Sequence, residues 1–347
     1  PLSIARARKG MGKSALIREC AFRNKPLKGS VVLEIKGSDL VAQKPFTQMT
    51  ATEHIYDWQQ RICAVINRTI GAAIGFAISD DSIALVEAAE LSGLKSRNIV
   101  GSLVDRLRGK LGPAELQKLG IVDQQALLSR FLGDKEERVL ILIDDIDATF
   151  TESPQESVRL STFFSACRQL ATSFSGIAIR TVIRSDVWAT IRKRDEALDK
   201  VEQYIFDISW SVKGFRSFLA SRITAYCDVS DRRTLVQGRS KEEIIELVFS
   251  GNFPWGRGTA LPHRVIHVYS GGRPRWAAQL CRMAGAEALR VQDSIIKFGH
   301  IKQVLEEYGR YRLDDIAREH RHQCESISDI VNAFAKRNDT YSTAELR

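Results

Sequence analysis

The sequence predicts an α/β protein, with a parallel sheet in its N-terminal part and helices through the remainder. Three observations predict it. First, a short apolar segment, Leu2-Ser3-Ile4-Ala5, runs into a basic glycine-bearing loop, Ala7-Arg8-Lys9-Gly10-Met11-Gly12-Lys13-Ser14. Helix-forming sequence follows at Ala15-Leu16-Ile17-Arg18-Glu19-Cys20. Second, Val139-Leu140-Ile141-Leu142-Ile143 is an unbroken apolar run that ends in Asp144 and Asp145. Such a run is the pattern of a parallel strand buried on both faces. Third, Gly176–Ile183 repeats the strand pattern after the amphipathic helical stretch Ser161–Phe174. Strands that alternate with helices build parallel sheets covered by helices.

The remaining elements follow in order. Val31-Val32-Leu33-Glu34-Ile35 is predicted as the second strand, and residues 36 to about 52 are polar and loop-like. From Glu53 to Arg130 the pattern is mostly helical, with Ile55, Trp58, Ile62 and Ile66 at helical spacing and a break at Gly109-Lys110-Leu111-Gly112-Pro113. Ile205-Phe206-Asp207-Ile208 is a last short strand. Beyond about residue 210 the sequence predicts helices at Val212–Ala225 and Lys241–Phe249 and a Gly/Pro/Trp-rich turn at Gly251–Pro262. His263–Tyr269 leads into Gly271-Gly272-Arg273-Pro274-Arg275-Trp276 and a long helix to about Val291; Ile301–Tyr308 and Leu313–Ala335 are two closing helices.

The loop at Ala7–Ser14 has the composition of a phosphate cradle. Gly10 and Gly12 let the backbone curl so that N–H groups point inward at phosphate oxygens, and the positive end of the following helix adds to the attraction. In the strand–loop–helix setting, Lys9, Gly10, Met11, Gly12, Lys13, Ser14 and Ala15 are the candidate phosphate-binding residues, with Lys13 reaching the β- and γ-phosphates and the Ser14 hydroxyl ligating Mg²⁺. Ligands of open α/β sheets bind outside the carboxyl ends of the strands. There Asp144 is the candidate to hold Mg²⁺, with Ser14, and Asp145 to orient or activate an attacking water. Asp147 is expected to cap the following turn.

Composition sets the bounds. The chain has 347 residues, 44% hydrophobic and 27% charged, which is ordinary for a folded soluble protein. No apolar run approaches the ~20 residues that span a bilayer, so a membrane is not an expected partner. Ile70–Ile78 is apolar but short, and Asp80 and Asp81 follow it. No signal peptide is visible. Pro1 stands first and Arg347 ends the sequence abruptly, so more natural sequence is expected beyond both ends. The six cysteines are scattered without paired spacing, which argues for reduced thiols in a cytoplasmic protein and against a disulfide frame or zinc site. His320 and His322 lie in a charged helical stretch, Arg318-Glu319-His320-Arg321-His322, which is expected to be a solvated face. The net charge of +9 permits an acidic partner, and DNA is the obvious candidate.

Four segments in order carry a resemblance: the loop at Ala7–Ser14, Ile143-Asp144-Asp145, Ile183-Arg184-Ser185-Asp186 and Gly272-Arg273-Pro274-Arg275. Over roughly residues 1–300 the chain resembles the STAND and AAA+ side of the P-loop NTPases. It is most similar to bacterial P-loop ATPases with a GRKGxGKS loop, from which it departs at Ala7. The resemblance implies a P-loop NTPase core at 1–210 with a helical insertion at about 53–130. It also implies a C-terminal helical lid at 211–300 and a further helical region at 301–347. It implies that Arg184 senses the γ-phosphate from the end of the fourth strand; a salt bridge from Arg184 to Asp186 is the plain alternative. It implies that Pro274 covers the nucleotide and that Arg275 is a sensor arginine; a helix start with proline in its first turn is the alternative there. Arg192 and Arg194 are candidate finger arginines.

What the resemblance implies for activity is slow, Mg²⁺-dependent ATP hydrolysis, with Lys13, Asp145 and Arg184 as the catalytic set. The favoured role is a nucleotide-dependent switch in signalling or antiphage-type defence, acting as a homo-oligomer with a protein effector. One alternative is a DNA-associated AAA+ ATPase of the origin-recognition or loader type. Another is an ATP-locked scaffold without a catalytic role.

Overall fold

The computed structural model describes residues 1–25, 30–40, 49–73, 125, 128, 138–321, 324–334, 342 and 344–345. The greater part of the expected helical insertion, including the break at 109–113, lies outside the described residues. The chain divides into two compact units. The first comprises Pro1–Arg6 and Lys13–Asp207; the second comprises Ala7–Gly12 and Ile208–Arg347.

The first unit is built on a five-stranded sheet in the order β2-β3-β4-β1-β5. Its strands are β1 (Leu2–Ala7), β2 (Ser30–Lys36), β3 (Arg138–Asp144), β4 (Ile177–Arg184) and β5 (Ile205–Asp207). The pairs β2–β3, β3–β4 and β1–β5 are parallel, with Leu33 opposite Ile141, Ile141 opposite Ile179 and Ile4 opposite Ile205. β3 lies between β2 and β4, and five consecutive residues, Val139–Ile143, are buried. This is the burial that an unbroken apolar run requires. Helices α1 (Lys13–Asn24), α2 (Ala51–Ala73), α3 (Pro154–Ser173) and α4 (Ser185–Arg192) and the short α5 (Asp199–Glu202) complete the unit.

Side chains at helical spacing drive α2 and α3 together. Trp58, Ile62 and Ile66 of α2 are buried in one core with Leu160, Phe163, Phe164 and Leu170 of α3. Trp58, Phe163, Phe164 and Trp188 form a chain of edge-to-face rings with centroids 5.2–5.6 Å apart, the arrangement that aromatic quadrupoles favour. α3 begins seven residues before the expected start. Ser153 caps it by accepting the Glu156 N–H at 3.2 Å, and Pro154 occupies its first position.

The second unit is mainly helical, with α6 (Val212–Val229), α7 (Lys241–Glu246), α8 (Pro262–Tyr269), α9 (Pro274–Arg290), α10 (Phe298–His320) and α11 (Ile327–Ala333). It has its own core, including Phe215, Phe249, Phe253, Ile266, Leu280 and Ile301. Two expectations are corrected here. The Gly251–Pro262 turn is an antiparallel hairpin of β6 (Phe253–Trp255) and β7 (Gly258–Ala260), tightened by Gly256 at φ +57°. The expected break between Ile301–Tyr308 and Leu313–Ala335 is not there: α10 runs through Gly309 as far as His320, and α11 lies in the remainder of the second stretch. A lone glycine costs a helix only about 1 kcal/mol, which the burial of Ile301, Tyr308 and Arg312 offsets. Among the described residues, no helix is long and apolar enough to cross a membrane.

Candidate functional site

In the first unit, β3 and β4 bring their carboxyl ends to one side, which places Asp144 and Arg184 there with Lys13 of α1. The Lys13 ammonium is half-buried, and burial lowers its pKa. Asp147, Asp186 and Asp144 act against that shift, and Arg184 adds to it. Four of the residues that sequence motifs single out, Lys13, Asp144, Asp147 and Arg184, therefore share one electrostatic cluster.

Asp144 ends β3 and accepts the Asp145 N–H at 2.9 Å. Asp145 is exposed and holds φ +58°, a left-handed conformation that few non-glycine residues adopt. It is strained backbone at the tip of β3, the kind of outlier found at active sites. A glycine opposite makes room for it. A Cβ on Gly37, just after β2, would lie 2.6 Å from the Ile146 Cα and 2.7 Å from the Asp145 carbonyl oxygen. No motif search marks Gly37; only the close approach does.

The Asp147 side chain, expected to cap the following turn, reaches across the sheet to β4. Its buried carboxylate accepts the Arg184 N–H at 2.7 Å, tying the end of β3 to the end of β4. Burial raises its pKa, opposed by the Arg184 N–H and by the Lys13 charge. The Arg184 guanidinium pairs with Asp186, with Nε donating to Oδ1 at 3.2 Å. This is the plain alternative that the sequence allowed. Arg192 pairs with Asp199 and Glu202, and Arg194 donates to the Glu152 carbonyl and the Ser157 hydroxyl. Both candidate finger arginines are thus engaged within their own chain.

In the second unit, the loop segment Ala7–Gly12 lies among residues of the C-terminal helices. Gly10 and Gly12 have φ of +83° and +100°, so each needs to be glycine for its conformation. A Cβ on Gly10 would also meet the Arg275 Cβ at 3.3 Å. The Arg275 N–H donates to the Gly10 carbonyl at 3.3 Å, and its side chain is exposed. Pro274 is buried in the first turn of α9. Two left-handed glycines, Gly271 at φ +55° and Gly272 at φ +68°, end α8 and turn the chain into it.

Two residues that sequence reasoning did not mark join this segment. Trp210 donates its indole N–H to the Met11 carbonyl at 2.9 Å. Glu319 is not on a solvated face: it is 4% exposed, pairs with the equally buried Arg273 at 2.7 Å, and accepts the Lys9 N–H at 3.5 Å. Its charged neighbours hid it, because a run of charges carries no signal for which member turns inward.

The residues fit a magnesium nucleotide. Two glycines hold positive φ in the loop, a partly desolvated lysine stands among carboxylates, and Ser14 opens α1, where first-turn N–H groups have no carbonyl a turn earlier to bond. Among the described residues no group of three or more His, Cys, Asp and Glu side chains forms a metal cage. The topology, the strand–loop–helix unit and the acidic end of β3 define a P-loop NTPase fold.

No family model matches the chain, and no curated protein matches it. Solved structures do. Cdc6p from Pyrobaculum aerophilum is 16% identical, with 85% of this chain and 57% of that one covered and a TM-score of 0.37. The Aeropyrum pernix ORC2 protein is similar in its ADPNP–ADP complexes at 12% identity, 88% and 61% coverage and TM-score 0.38. In its ADP form the values are 11%, 88% and 62%, and 0.39. The chain spans about three fifths of the length of these structures.

Proposed function

We propose that the protein is an ATP-binding P-loop ATPase that works as a nucleotide-dependent switch. The observation that carries this reading is the cluster of Lys13, Asp144, Asp147 and Arg184 at the carboxyl ends of β3 and β4. In this reading Lys13 binds the β- and γ-phosphates, and Ser14 and Asp144 hold Mg²⁺. Bound there, the metal neutralises charge on the phosphates. Asp145 orients or deprotonates the attacking water from its exposed, left-handed position at the strand tip. Arg184 leaves Asp186 to contact the γ-phosphate, where a planar guanidinium makes bidentate contacts. Loop residues Lys9–Gly12 and Ala15 complete the phosphate cradle, and Pro274 and Arg275 report nucleotide state to the C-terminal helices. A homo-oligomer and a protein effector, in signalling or defence, belong to the same proposal.

A second reading, a DNA-associated ATPase of the origin-recognition or loader type, is favoured by the net charge of +9. The solved structures named above are compatible with it. One experiment separates the readings: phosphate release from ATP, with and without double-stranded DNA, with Lys13→Ala as control. Slow turnover indifferent to DNA supports the switch. Turnover that DNA raises several-fold supports the DNA-associated reading. Absence of any Lys13-dependent turnover overturns both as enzymes and leaves a nucleotide-locked scaffold.

A further inference from the structure

We infer that Trp210 is a positioning residue for the phosphate-binding loop, one that sets the direction of the Gly12 N–H. This rests on the nucleotide-binding reading above. Within one planar peptide unit, the carbonyl of a residue and the N–H of the next point in opposite directions. The Trp210 indole N–H holds the Met11 carbonyl at 2.9 Å. The N–H of Gly12 in that peptide is therefore turned to the other side. Two longer bonds hold the carbonyls before it: the Arg275 N–H reaches the Gly10 carbonyl at 3.3 Å and the Arg273 guanidinium the Lys9 carbonyl at 3.4 Å. Three consecutive carbonyls, of Lys9, Gly10 and Met11, are thus each held by a donor. Gly12 has open space around the position of a Cβ, so its glycine identity serves conformation alone, at φ +100°.

Trp210 is itself fixed, as a positioning group must be. Its carbonyl contacts the His267 Nε2 at 2.8 Å, and its ring lies against Phe218 at 5.5 Å. Ser211 begins α6 directly after it, accepting the Gly214 N–H at 3.1 Å. His267 is held in turn against Phe215 at 5.1 Å. The indole donor therefore sits on a short rigid segment, and an indole can donate but not accept. It can hold a carbonyl and cannot hold the amide in its place.

The test uses the whole chain. Titration calorimetry of ATP is run on the wild type, on Lys13→Ala and on Trp210→Phe, which keeps an aromatic ring against Phe218 and loses the donor. Trp210→Phe is expected to bind ATP about three- to tenfold more weakly, the value of one hydrogen bond, and to lower the thermal midpoint by no more than a few degrees. ATP affinity equal to wild type overturns the proposal. A wild type that binds no ATP overturns the nucleotide reading itself, and the two failures are distinct. A second readout follows the Gly12 amide itself and does not depend on the variant. Met11–Gly12 is the only Met-Gly pair in the sequence. Isotope labels on methionine carbonyls and glycine amides therefore give a single resonance for that peptide. In the wild type it should shift when ATP binds. If it stays still at saturating ATP, the proposal fails, whether or not Trp210→Phe folds.

Discussion

Asp145 carries two burdens in one residue, a charge and a strained backbone, and the choice of substitution separates them. Asparagine tolerates the left-handed region as well as aspartate does, so Asp145→Asn removes the charge and keeps the φ of +58°. ATP binding is expected to stay within about twofold of wild type while turnover falls by about 100-fold or more, the scale of a lost general base. Phosphate release at the parental rate would show that another group activates the water. Gly37 makes the complementary case. A methyl placed 2.6–2.7 Å from the backbone of Ile146 and Asp145 cannot be accommodated by a side-chain rotation. Gly37→Ala is expected to cost about 1–3 kcal/mol of stability, as overpacking does, and to lower turnover more than ATP affinity. Denaturant titration and steady-state kinetics together check it. That Lys13 stands with Asp144 at the end of β3 was legible in the sequence, because loop chemistry marks one and strand patterning the other. Gly37 was not, because its constraint comes from a residue far along the chain.

At the level of elements, the link between β3 and β4 is the buried carboxylate of Asp147 on the Arg184 N–H. Its folded pKa lies above the ordinary carboxylate value, chiefly because burial penalises the charged form. A carboxyl group with a raised folded pKa favours the folded state fully below the unfolded pKa. That contribution is lost as pH rises through the folded value. Asp147→Asn can still accept the Arg184 N–H and has no proton to lose. The stability of Asp147→Asn relative to wild type is therefore expected to increase as pH rises from the acid range toward neutrality. Urea unfolding across that window, without nucleotide, checks the sign, and a flat difference would mean that burial does not raise the pKa of this carboxyl group. The strands themselves were legible: the patterns at Val31, Val139 and Gly176 correspond to β2, β3 and β4, with boundaries within a residue or two. The hairpin of β6 and β7 was not, because three-residue strands around a Gly-Arg turn are too short for alternation to register.

For the molecule as a whole, the parallel sheet in the first unit and the helical character of the second were both foreseeable from strand and helix periodicity. What holds the second unit together over long sequence separations was not. Arg273 and Glu319 lie 46 positions apart, and both are buried. Arg273 also stacks on Trp276 at 4.1 Å, and the other cation on that ring, Arg312, approaches to 4.6 Å. Two guanidinium groups against one indole concentrate positive charge in a site of low dielectric, where Glu319 is a close counter-ion. Deleting one member of a buried pair leaves the other charged and unmatched, which costs about 3–5 kcal/mol. Glu319→Ala is therefore expected to destabilise the second unit by about that amount, far beyond the fraction of a kcal/mol expected for a solvated glutamate. Because the chain has two compact units, the effect should be read as a lowered midpoint for one of two transitions rather than a uniform shift. Replacing both partners, Arg273→Met with Glu319→Leu, should recover much of the loss, since apolar groups of similar size often substitute for a buried pair without penalty. Denaturant curves of the single and double variants decide it. If the double variant is as unstable as Glu319→Ala, the deficit belongs to packing around Trp276 and not to the stranded charge.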